Sequence, residues 1–304
     1  MTSSLNQRRV RLLSLFLVPS LFLSACSEGP LATASTPLPV AGTTAWERGL
    51  AWYQANTGVP PGTTLTASGP LTITADNTVI DGLDISGGID VQANNVTIRN
   101  SRLSRRIYVN GGSALIEHVE IDLTAAAIDW TQQHGIFTVT NTGTTVRFTR
   151  IHGMQQGIAF GGKLTAEDNW IYGIRTDAGH SEAILSNGAT DTSAIRRNWL
   201  DSEPALGSAI SGPLAMYGDF GQIRNVTVEG NLFTGRGFNY FGAATAKPYP
   251  LPFNVTVRNN HFQPPFTYGA PNYPSTLDAN SAASWSNNRI TTTDALVPAP
   301  TGGG

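Results

Sequence analysis

Between residues 65 and 290, short stretches of alternating apolar and polar residues recur, and Asn254-Val255-Thr256-Val257-Arg258-Asn259-Asn260-His261-Phe262 is the clearest of them. The slot held by Val257 is filled in turn by Ile80, Ile98, Ile116, Phe148, Ala166, Ile195, Val228, Val257 and Trp285, at intervals of 18, 18, 32, 18, 29, 33, 29 and 28 residues. Three positions on stand Asn169, Asn198, Asn231, Asn260 and Asn288. Two further come Ile85, Leu103, Ile121, Ile171, Leu200, Phe233, Phe262 and Ile290. Alternation with β-branched residues predicts strands. A constant strand joined by variable loops predicts a solenoid, in which each repeat buries its apolar face by stacking on its neighbours.

A second strand accompanies each repeat: Gly88–Val91, Arg106–Val109, Gly135–Val139, Gly157–Phe160, Glu182–Ser186, Leu214–Gly218 and Asn239–Gly242. Ile89, Ile107, Ile136, Ile158 and Ile184 align and are expected to point inward, with Tyr108, Phe137, Ala159, Leu185, Met216 and Phe241 outward. The expected fold is all-β, a parallel β-helix of about nine to ten rungs stacked roughly 4.8 Å apart. The five asparagines then form a buried column whose amides donate to one rung and accept from the other. Thr43 or Thr44 caps a helix from Ala45 to Asn56 that ends before Gly58, with Trp46, Leu50 and Tyr53 on one face, read as a cover for the open N-terminal end. The domain so defined runs from 44 to 290, and the Pro-, Thr- and Gly-rich tail 291–304 reads as disordered.

The first 25 residues have the form of a secretory signal: Arg8, Arg9 and Arg11, an apolar run from Leu12 to Leu23, then Leu23-Ser24-Ala25-Cys26. The last four resemble a bacterial lipobox, which makes Cys26 the lipidated first residue of the mature chain. Residues 26–43 are a flexible tether, and the expected location is the outer face of a bacterial membrane. Cys26 is the only cysteine, so disulfide chemistry is excluded. A net charge of −2 with no basic stripe gives no case for nucleic acid as a partner.

The Gly-Ile strands, the Asn-centred turns, Thr57-Gly58-Val59-Pro60-Pro61-Gly62 and Thr78-Val79-Ile80-Asp81-Gly82 resemble the right-handed parallel β-helix proteins of the pectate-lyase-like superfamily over about residues 57–290. The resemblance implies the fold and a polysaccharide partner. It does not choose among lyases, hydrolases, esterases, epimerases and binding proteins.

Long loops before the second strand (122–133, 173–181, 201–212) and after it (187–192, 219–225, 243–253) would wall a groove on that face. Arg175-Thr176-Asp177-Ala178-Gly179-His180-Ser181-Glu182 is the densest ionisable run there. β-Elimination of a uronate requires neutralising the carboxylate, removing the C5 proton and protonating the leaving oxygen. Asp177 and Glu182 are candidate ligands for Ca²⁺, His180 or Lys163 the base, and Arg175 the carboxylate clamp. His134 precedes Ile136 by the offset at which Glu182 precedes Ile184, so the two are expected in one column two rungs apart. Arg236, Tyr240 and Tyr217 are candidate ligand contacts. The outward strip is apolar, unlike the acidic floor of a calcium-dependent pectate lyase. Two rivals stand beside the lyase. A non-catalytic carbohydrate-binding or surface-structural protein needs no convergence of these groups. A glycoside hydrolase needs two of Asp201, Glu203 and Asp219 within roughly 10 Å.

Overall fold

The computed structural model describes residues 43–126, 134–138, 143–175, 181–206, 212–235, 240–241, 249–250, 252–266, 269–272 and 284–299. Three all-parallel sheets make a parallel β-helix. Sheet A has ten strands, from Thr66–Ser68 to Arg289–Ile290; sheet B has nine, from Leu71–Ile73 to Pro271–Asn272; sheet C has nine, from Val79–Asp81 to Ser284–Ser286. Each rung visits A, B and C in that order. A two-stranded piece outside them pairs Ile174–Arg175 with Pro204–Leu206.

Register confirms the repeat and corrects one slot. The inward column of sheet C is Ile80, Ile98, Ile116, Val146, Ala166, Ile195, Val228, Val257 and Trp285. Val146, not Phe148, occupies the fourth position. Phe148 lies two residues on, at the corner from C to A, where every rung turns through a left-handed residue. Phe148 (φ 50), Asp168 (58), Arg197 (51), Gly230 (66) and Asn259 (56) are five of these. Non-glycine residues there cost roughly 1 kcal/mol or more each, so tertiary contacts must hold them. Phe148 is held by stacking on His118, its equivalent one rung earlier, with centroids 5.0 Å apart.

From Asn169 onward, the residue after each left-handed corner belongs to a column of buried amides. In Asn198, Oδ1 accepts from the Asn169 backbone N–H (3.0 Å) and from Asn169 Nδ2 (2.9 Å), while Nδ2 donates to Ala166 O (2.9 Å) and to Asn231 Oδ1 (3.0 Å). Asn231 and Asn260 repeat the pattern, and all five asparagines are fully buried. Thr149 joins from the preceding rung, its N–H donating to Asn169 Oδ1.

The helix spans Ala45–Asn56 with Thr44 and Glu47 forming a reciprocal capping box. It lies across the outer face of sheet A and its corners, not over the open end. Ala45 N donates to Gly230 O, the Tyr53 hydroxyl to Arg197 O, and Arg48 pairs with Asp168; Tyr53 packs on Trp199 and Trp46 on His261. Gly49 leaves helical geometry (φ 73), which breaks the expected periodicity. Ala45 and Tyr53 are therefore the buried residues, while Trp46 and Leu50 stay exposed. Sheet A matches this contact: its outer column changes from Asp84, Arg102, Glu120 and Arg150 to Trp170, Trp199 and Leu232 where the helix packs.

Removing one amide from the middle of the column strands groups on three rungs. Asn231→Ala is expected to lower unfolding free energy by about 3–5 kcal/mol, against under about 1 kcal/mol for Thr145→Ala on the outer face of sheet C. Denaturant unfolding monitored by tryptophan fluorescence measures the difference.

Candidate functional site on sheet B

The Gly-Ile sequence of the sheet B strands places their polar residues. A Cβ on Gly135 would stand 2.4 Å from Ile151 Cγ2 and 2.8 Å from Gly157 O; one on Gly157 would stand 2.5 Å from Ile171 Cγ2 and 2.3 Å from Ala183 O. These positions therefore face the interior, as do the following Ile136, Ile158 and Ile184, which are fully buried. With two successive inward positions, the residue before them is turned to the outer face. There the register aligns His134, Gln156 and Glu182 on consecutive rungs. His134 and Glu182 share a column two rungs, about 10 Å, apart.

Glu182 is fully buried, and both its oxygens are occupied. Gln156 Nε2 donates to Oε2 at 3.1 Å, and the Tyr217 hydroxyl donates to Oε1 at 2.7 Å. Tyr217 itself is half-buried, so the phenol stands in front of the carboxylate. At the other end of the column His134 stacks flat on Phe137 (4.5 Å, 8°), and Phe137 on Tyr108 (5.4 Å, 13°), with the Arg106 guanidinium 5.2 Å from the Tyr108 ring centre. Burial, reinforced by the Arg106 charge and opposed by a hydrogen bond with Gln156, lowers the His134 pKa to about 4. Its imidazole is neutral at pH 7.

The outward apolar column is Tyr108, Phe137, Ala159, Leu185 and Ala215, and the backbone of Phe241 pairs with Ala215. Ala215 replaces the expected Met216, which pairs with Ser186 and is buried in the main core. The cause is the length of the strand Gly212–Phe220: Leu214 takes the inward slot of Ile184, and alternation sends Ala215 and Tyr217 outward. Ala159, Leu185 and Ala215 are buried and form a small cluster with Phe137 and Tyr217.

Of the other residues singled out in the sequence, Lys163 does not join this site. It is exposed at the corner between sheets B and C and lines a groove on sheet C. Arg175 donates from Nη1 to Ala126 O (2.7 Å), and its carbonyl accepts from Ser181 Oγ (3.2 Å) beside Glu182. Asp177, His180, Arg236 and Cys26 lie outside the described residues, as does the side chain of Tyr240, whose backbone pairs with Pro271. Of the two candidate Ca²⁺ ligands, Asp177 lies outside the described residues and Glu182 accepts from Gln156 and Tyr217; among the described residues no three His, Cys, Asp or Glu side chains gather as ligands. Asp201 caps the Glu203 N–H (2.8 Å) in a turn after sheet A, and burial raises its pKa. The Asp219 backbone N–H donates to Asn187 Oδ1 (3.0 Å) at the end of sheet B.

Gln156 was missed in the sequence although its offset from Ile158 equals that of His134 from Ile136. Another cluster, on sheet A, was missed as well: His152 lies 3.2 Å from Glu120 and 3.5 Å from Asp122, and stacks on Tyr172. The His152 hydrogen bond holds the Glu120 carboxyl below its ordinary range. Neither family models, nor curated proteins, nor solved structures give a match to this chain.

Because the folded His134 pKa lies below its unfolded value, the unfolded chain binds the extra proton between about pH 6.5 and 4. His134 therefore withdraws stability as pH falls through that window. Wild type is expected to lose about 2.5 kcal/mol more than His134→Gln between pH 7 and pH 4.5, measured by urea unfolding of both proteins at both pH values.

Proposed function

We propose that this chain acts on an acidic extracellular polysaccharide along the outer face of sheet B, cleaving it by β-elimination, in keeping with its resemblance to pectate-lyase-like proteins. The observation that carries the chemistry is the 2.7 Å hydrogen bond from the half-buried Tyr217 hydroxyl to the fully buried Glu182 carboxylate. A carboxylate behind a phenol can take the phenolic proton as the phenolic oxygen removes the C5 proton of the sugar. The C5 electron pair forms the C4–C5 double bond, the C4–O bond breaks, and Tyr217 passes a proton to the leaving oxygen. Glu182 then returns its proton to the phenolate, which restores the dyad. Gln156 fixes the rotamer of Glu182. Arg175, whose backbone carbonyl accepts from Ser181 next to Glu182 and whose Nη1 donates to Ala126 O, is the candidate for the substrate carboxylate. The tier of Arg106, Tyr108, Phe137 and His134 offers flat rings and a cation to a neighbouring sugar. Cys26, as a lipidated first residue, would hold the protein on the outer face of a bacterial membrane.

A non-catalytic carbohydrate-binding protein is the second reading. It is favoured by Lys163 facing another sheet and by the closure of Ala159, Leu185 and Ala215 from solvent beside the dyad.

The decisive assay incubates the purified protein with uronic-acid polysaccharides and follows both absorbance of the unsaturated product and new reducing ends. Absorbance that falls at least about 100-fold in Tyr217→Phe and in Glu182→Gln supports the dyad. Unchanged turnover in both variants would sink it. Reducing ends without absorbance mean hydrolysis, and retained binding without either signal means the binding protein. Separately, Cys26→Ser is expected to move the protein from the membrane fraction to the soluble fraction, read by fractionation of expressing cells.

A further inference from the structure

Sheet C carries two outward columns. One is of threonines, Thr145, Thr165, Thr227 and Thr256, interrupted by Ala194. The other alternates in charge on successive rungs, with Glu167, Arg196 and Glu229 at this level. The missing hydroxyl and methyl at Ala194 leave a depression in the threonine column. A groove of about 470 Å³ opens there, lined by Lys163, Thr165, Thr192, Arg196, Thr227 and Thr256 among others.

The charges in this groove do not balance. Arg196 is answered by Glu167 (3.4 Å) and Glu229 (3.8 Å). Lys163 has no carboxylate partner among the described residues, and Asp191, close by along the sheet B–C corner, turns its carboxylate onto the Thr192 N–H (2.8 Å). One exposed ammonium therefore stands in a groove with the hydroxyls of Thr165, Thr192, Thr227 and Thr256, each of which can both donate and accept. Phe253, 47% exposed, directly precedes the groove-lining Asn254 in the chain. A sugar chain presents the same combination of hydroxyls, apolar C–H faces and, when acidic, a carboxylate.

We infer that the groove on sheet C is a second saccharide site, which binds an acidic oligosaccharide with its carboxylate on Lys163 and its hydroxyls on Thr165, Thr227 and Thr256. It shares with the sheet B reading only the class of polymer, and it requires no cleavage. On a protein that cleaves at sheet B, it would hold the polymer on a neighbouring face of the same rungs.

The test uses Tyr217→Phe protein, so that turnover does not confuse binding, with tetragalacturonic acid and its methyl ester as probes. Threonine-methyl NMR reads the site directly. The acid is expected to shift the methyls of Thr165, Thr227 and Thr256, and the added Lys163→Gln substitution to weaken that response about tenfold, the size of one charge-assisted contact. The ester, lacking the charge, is expected to bind about as weakly to either protein. Threonine methyls that stay unmoved at saturating acid, equal affinities for acid and ester, or a Lys163→Gln protein that titrates like its parent would each overturn the inference. None of these readings depends on whether wild type cleaves the polymer.

Discussion

The column of buried asparagines is the constraint on which the coil depends. Each corner from sheet C to sheet A turns through a left-handed residue and leaves an N–H and a carbonyl inside, where no strand partner reaches them. An unpaired group there costs about 1–3 kcal/mol. The asparagine amide has two donors and an oxygen with two acceptor sites on a short stem, which is the set the corner requires. The first rungs, about 18 residues apart, use Leu83, Ser101 and Val119 at this position, with the Ser101 hydroxyl accepting from Leu83 N. The asparagines begin at Asn169, among the rungs that carry long insertions. A long loop adds closure entropy to its rung, and the amide column supplies order on the side opposite that loss.

The stacking that orders the corners also builds the candidate site. His134, Gln156 and Glu182 are far apart in sequence but equivalent in register, so one offset repeated on three rungs becomes a buried polar row along sheet B. Glycine at 135 and 157 is what turns that row outward, because an interior side chain there would strike the next rung. The helix covers the outer face of sheet A at Trp170, Trp199 and Leu232 and packs on neither sheet B nor sheet C among the described residues. Both saccharide sites proposed above lie on those two faces.

How much of this was legible follows from the same geometry. The rung repeat, the asparagine column and the helix limits with their Thr44 cap could be read directly, since each is a local pattern. The pairing of His134 with Glu182 was legible as equal offsets from aligned isoleucines. Phe148 passes for Val146 in the sequence because both are apolar and two residues apart, and only the left-handed corner separates them. Met216 was placed outward for want of knowing where the strand Gly212–Phe220 enters the register. Lys163 follows a sheet B strand by one residue, yet the corner carries it to another face. Sequence distance cannot report that change of direction. The burial of Glu182 behind Tyr217 depends on two strands and had no sequence signal.

Charge completes the picture, because parallel stacking in register sets equivalent residues beside one another on every rung. Like charges in one column would repel along the whole coil. Sheet C avoids this by strict alternation: Asp81, Arg99, Glu117, Arg147, Glu167, Arg196, Glu229 and Arg258 succeed each other. Sheet A does the same with Asp84, Arg102, Glu120 and Arg150. Individually these exposed pairs contribute little, but a slip by one rung would set acid against acid down the column, so alternation specifies register. Ionisable groups outside the alternation need another explanation. Glu182, buried with donors from Gln156 and Tyr217, and Lys163, exposed with no acid partner among the described residues, are two such groups, and each lies at one of the two saccharide sites proposed above.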